Sequence, residues 1–123
     1  MSELTEKVRN VEREIAEERG QFNLFALLER EDLADRWDLV IAAPWAKHDE
    51  GTLQYIVSML KRHLSASDMT LLARIVVLEA SEEPVRSIND NYDVEHGRLE
   101  LNDPARFGLP VKHGYIITSR RAA

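Results

Sequence analysis

Eight side chains in this chain could do chemistry together if the fold gathers them: Trp45, Lys47, His48 and Asp49 in "PWAKHDE", Glu79 and Ser81 in "EASEEP", then Asp103 and His113. Imidazoles and carboxylates at ligand distance suit Zn, Mn or Mg, so His48, Asp49, Glu79 and His113 form the one conditional metal set. Hydrolysis by metal-activated water would follow from it. Simpler roles account for the same residues. Asp49 and Ser81 stand where helix N-caps are expected, and Glu82 and Glu83 complement a helix dipole in a first turn. These structural roles outweigh catalysis, so no catalytic residue, resident metal or cofactor is assigned. Acids at both helix starts also disfavour phosphate capture there. A third use of the margin is a small pocket for an acidic or aromatic molecule, lined by Trp45, His48 and Tyr115.

The elements that must position these residues follow from hydrophobic period. Leu4, Val8, Val11 and Ile15 mark a helix over residues 3–19 that ends at Gly20. Its stripe spans two heptads, short of a coiled coil, so packing on the chain's own sheet is favoured over a dimerisation helix. Glu12, Glu14, Glu17 and Glu18 crowd its C-terminal half, against the dipole. "QFNLFALLERE" and "WDLVIAAPW" read as an antiparallel strand pair. Leu39 to Ala43 are consecutive apolar residues, which requires both faces of that strand to be covered.

After Pro44 the period becomes helical. Leu53, Ile56, Val57, Leu60 and Leu64 share one side of a helix over residues 50–66. "SASDMTLLA" reads as a turn, and Ile75 to Leu78, apolar without alternation, as a second central strand parallel to the first. "SEEPVRSINDNYD" predicts a short helix capped by Ser81, with Val85, Ile88 and Tyr92 inward. "GRLELN" reads as an exposed edge strand and "PVKHGYIITS" as a partly buried final strand.

The expected order is α-β-β-α-β-α-β-β in a single α/β domain over residues 1–123. It forms a three-layer sandwich around one mixed sheet of about five strands, the first helix on one face and the later helices on the other. A two-layer α+β arrangement is the alternative. If the fourth strand runs parallel to the third, all eight side chains meet at one strand-end margin, the usual ligand position in such sheets. That topology sends His96 to the other end of the sheet. His63 reads as a solvated flank or a C-terminal cation on its helix, and Trp37 as a packing residue.

Composition narrows the function further. The net charge of −6, with basic residues dispersed, works against nucleic-acid binding. No cysteine is present, which removes disulfides, thiolate metal sites and thiol nucleophiles. No apolar run reaches membrane-span length, and the charged start "MSELTEKVRN" lacks a signal peptide's apolar core. Glycine-rich phosphate loops, H-E-x-x-H and G-x-S-x-G are absent. So is a nuclease-type E-x-K strand, since Ala80 and Ser81 follow Glu79. The expectation is a soluble, cytoplasmic, non-catalytic interaction or regulatory domain that takes a protein partner or associates with itself, a homodimer then forming through the first helix or the exposed final strands. The alternative is a small metal-dependent hydrolase at the strand-end margin.

Overall fold

The computed structural model describes residues 2–30, 36–101 and 111–121. Helix α1 (Ser2–Arg19) leads into strands β1 (Leu24–Arg30) and β2 (Trp37–Ala42). Helix α2 (Glu50–His63), the four-residue α3 (Ala66–Met69), β3 (Leu72–Val77), helix α4 (Glu83–Asn91), β4 (Leu99–Leu101) and β5 (Val111–Ser119) follow. The five strands form one mixed sheet in the order β3-β2-β1-β5-β4. The expected element order holds, with α3 replacing a plain turn. Ser65 caps α3 in a reciprocal box with Asp68.

Both faces of the sheet are covered. Phe25, Leu27, Leu39, Ile41 and Ile117 pack under α1 and α2, whereas Leu24, Ala26, Val40, Ala42 and Ile116 pack under Val85 and Ile88 of α4. Every residue of β2 is buried, as its unbroken apolar run requires. The distribution of helices departs from expectation: α2 shares a face with α1, and α4 alone among the longer helices covers the other. The apolar stripe of α1 therefore lies between sheet and α2. Leu4, Val8, Val11 and Ile15 are at most 3% exposed, so the stripe is spent inside the chain's own core.

Strand direction decides which loops meet. β2 and β3 are parallel, β1 is antiparallel to both β2 and β5, and β4 is antiparallel to β5. β4 thus runs opposite to β3, so the condition under which all eight side chains would meet is not fulfilled. Helix length explains this. Nine residues of α4 span roughly 13 Å, about three strand spacings. The helix carries the chain sideways across the sheet, and β4 starts at the end where β3 finished. β3 is an edge strand, not a central one, and β5 lies inside between β1 and β4.

A bulge in β5 also matters. Phe25 pairs with Thr118 but Ala26 pairs with Ile116, leaving Ile117 as the extra residue. Such an insertion re-aims the side chains beyond it. Thr118 consequently faces α1, and Ser119 faces α4.

Candidate functional site

The strand-end margin divides the expected cluster. Trp45, Lys47, His48 and Asp49 follow β2, and Glu79 and Ser81 follow β3, so these six leave the same end of the sheet. His113 lies at the start of β5, the opposite end, about 20 Å away along a strand of six residues. Asp103 lies outside the described residues. The conditional metal set of His48, Asp49, Glu79 and His113 is therefore split, and among the described residues no group of three or more His, Asp or Glu side chains could hold a metal ion. Trp45 and Tyr115 are likewise separated, Tyr115 stacking on Trp37 at 5.9 Å between ring centroids. That removes the shared pocket.

Of the six residues that stay together, Trp45 and Asp49 hold local structure. Trp45 is half-buried, donates from Nε1 to the Gly20 carbonyl at 3.0 Å and meets Phe22 edge-on at 5.3 Å. It bolts the β2–α2 loop to the end of α1. Asp49 Oδ1 accepts from the Thr52 N–H at 2.8 Å, as an N-cap does, and those hydrogen bonds hold its carboxyl below the usual aspartate range. Ser81 is not a cap. Glu82 occupies that position, and its carboxylate accepts from the Glu79 N–H at 2.6 Å. Lys47 and His48 are exposed.

Two adjoining clefts of about 470 and 490 Å³ open at this end beside α4 and share Asn89, Asp90 and Arg121. Of the residues common to both, each has a partner. The buried Asn89 amide donates to the Asn23 carbonyl and to Ser119 Oγ, both at 2.9 Å, and Arg121 pairs with Asp90 at 3.2 Å.

The histidines, other than His48, became inter-element clamps that sequence spacing did not reveal. His63 Nε2 lies 2.6 Å from Glu14 Oε2, and Arg62 reaches the other oxygen at 2.7 Å, tying α2 to α1. His113 Nε2 meets Glu100 at 2.6 Å across the β4–β5 pair. His96 Nδ1 meets Glu12 Oε1 at 2.6 Å, while Thr118 donates to Glu12 Oε2 at 2.8 Å. Glu12 is 0% exposed. His96, expected at the far end from His48, is at the same end, because β4 begins there. It sits three strand spacings along, roughly 14 Å.

A different surface stands open. The outer edge of β3 pairs with no other strand among the described residues. Leu78 N–H donates inward to the Ile41 carbonyl. Because backbone groups alternate along a strand, the N–H and C=O of Ile75 and Val77 face outward from the sheet. Above them is a groove of about 300 Å³ lined by Leu53, Val57, Met69, Leu72, Arg74 and Ile75, all half-buried except the exposed Arg74. It continues along α2 past Glu50 and Lys61. Arg74 is held by Asp38 of β2 at 3.0 Å, which keeps its guanidinium beside its own sheet.

Comparison of the chain with protein-family models, with curated proteins and with solved structures returned no match. Among the described residues no helix is long and apolar enough to cross a membrane.

Proposed function

We propose that this chain is a non-catalytic interaction domain that docks a protein partner by strand addition on the outer edge of β3. One observation carries the reading: β3 has the composition of a central strand and stands at the edge. Its six residues, "LARIVV", include one charge, whereas unpaired edges are usually blunted by charges, prolines or brevity. The opposite edge shows that protection. β4 has three residues and carries Glu100, with Arg98 just before it. Outward backbone groups at Ile75 and Val77 supply affinity in strand addition, and the groove under Leu53 and Val57 supplies selection of alternate side chains.

The metal-dependent hydrolase is not carried forward, because its ligands lie at both ends of the sheet. A cysteine-free composition suits a reducing compartment, and the proposed setting for this interaction is the cytosol.

Selection from a random-peptide display library on the purified protein tests the reading. Extended peptides with apolar residues at alternate positions are expected. Val57→Glu puts a carboxylate into the groove and leaves the buried face of α2 (Ile56, Met59, Leu60) intact; it should weaken peptide binding at least tenfold. An empty selection from protein dilute enough to be monomeric, or peptides that bind Val57→Glu as well as the parent, overturns the proposal.

A further inference from the structure

We infer that the partner on this edge is a second copy of the chain, joined about a two-fold axis perpendicular to the sheet; this rests on the strand-addition reading above. In that arrangement β3 pairs antiparallel with its counterpart, and the outward groups of Ile75 and Val77 exchange hydrogen bonds with the same groups across the axis. The two sheets become one. Because α2 covers the β2–β3 half of the same face, the two α2 helices then run antiparallel, side by side over the new strand pair.

An isologous contact of this kind needs a surface complementary to itself. The outer stripe of α2 has that pattern. Glu50, Leu53, Val57 and Lys61 follow one another at spacings of three and four residues along one flank, the charged ends exposed and the apolar middle half-buried. With the axis passing midway between Leu53 and Val57, Leu53 of one copy faces Val57 of the other. Glu50 then falls within one residue, about 1.5 Å of helix rise, of Lys61 across the axis. Symmetry makes this pairing twice. Gln54 donates to Glu50 Oε1 at 2.9 Å, which holds the carboxylate along the stripe. Arg62, the neighbouring cation, is engaged with Glu14 of its own protomer, so Lys61 is the side chain on the stripe that meets Glu50.

Charge supports a second copy over an unrelated partner. A chain of net charge −6 repels its own copies at long range. An apolar patch with an acid at one end and a base at the other offsets that repulsion locally in the antiparallel, two-fold arrangement, where each acid meets a base.

Size-exclusion chromatography with light scattering, over a concentration series, tests this. The wild-type chain is expected to form a concentration-dependent dimer. Glu50→Lys and Lys61→Glu should each shift the midpoint at least tenfold toward monomer, with native circular dichroism. An equimolar mixture of the two variants should regain the dimer, because each acid then meets a base; so should the double variant alone. A dimer indifferent to both swaps lies on another face and overturns the inference. A wild-type chain that stays monomeric up to its solubility limit, yet binds selected peptides at the groove, overturns the inference and leaves the docking reading standing. Monomer without peptide binding removes both.

Discussion

Removing the Glu12 carboxylate should cost about 3 kcal/mol of stability, and the structure shows where that comes from. The residue has no exposed surface and accepts from Thr118 Oγ1 and from His96 Nδ1. In Glu12→Ala the Thr118 hydroxyl, on a residue 1% exposed, becomes a buried donor without an acceptor, at about 1–3 kcal/mol. The His96 side chain is 32% exposed and can turn to water, which limits its share to about 1 kcal/mol or less. The one lost methylene adds about 0.8 kcal/mol, and relief of a buried charge offsets part of the sum. A loss near 3 kcal/mol corresponds to a melting point lower by about 10 °C for a domain of this size. Glu12→Gln should cost only about 1 kcal/mol, since its carbonyl accepts from Thr118 and its NH₂ donates to Nδ1 of a neutral His96. Urea unfolding followed by circular dichroism and tryptophan fluorescence reads both variants, at unchanged m-value. Glu12→Ala within about 0.5 kcal/mol of wild type, or Glu12→Gln as damaging as Glu12→Ala, would refute the reasoning.

Gly114→Ala should destabilise by about 1–3 kcal/mol, because its Cβ would lie 2.5 Å from Leu28 Cδ2 and 3.0 Å from the Leu27 carbonyl; calorimetry reads this, and an unchanged melting point contradicts the β1–β5 packing. Acid should unfold the protein partly through Asp49 and Asp68. Both carboxyls are held below the usual aspartate range, Asp49 by the Thr52 hydrogen bonds and Asp68 chiefly by the Lys7 ammonium, then by the Ser65 N–H. A depressed folded-state value gives stability that is complete above the unfolded aspartate value, about 3.9, and lost as pH falls through the folded one. Asp68→Asn should therefore flatten the acid limb of a stability-versus-pH curve; an unchanged slope would exclude the Lys7–Asp68 pair as a contributor.

Where burial alone sets the pattern, the sequence was readable. Consecutive apolar residues in β2 announced cover on both faces, and the stripe on α1 announced its packing side. The same logic misplaced β3, because an apolar run without alternation marks a strand meant to be covered and does not say by what. In β2 the cover comes from the same chain; in β3 Leu72, Ile75 and Val76 stay half-buried, which is the proposed reason for a partner. The direction of β4 was not legible, since it depends on α4 lying across the sheet and not along it. Charge pairs were hidden for another reason: Glu12 and His96 are 84 residues apart, Glu14 and His63 49 apart. Glu12 and Glu14, among the acids crowding the end of α1, looked unfavourable only while their partners were unknown. Glu12 stands a heptad from the equally buried Thr5, a hint that the inward face of α1 is wider than its apolar stripe.

Hydrogen exchange at single-amide resolution, measured across a range of protein concentrations, tests the β3 edge most directly. The Ile75 and Val77 amides should exchange fast in dilute protein and become protected as concentration rises, while those of Leu39 and Ile41 in β2 stay protected throughout. Ile75 and Val77 amides as protected as β2 in dilute, monomeric protein would contradict the open edge, and amides unprotected at every concentration would contradict its occupation by a second copy.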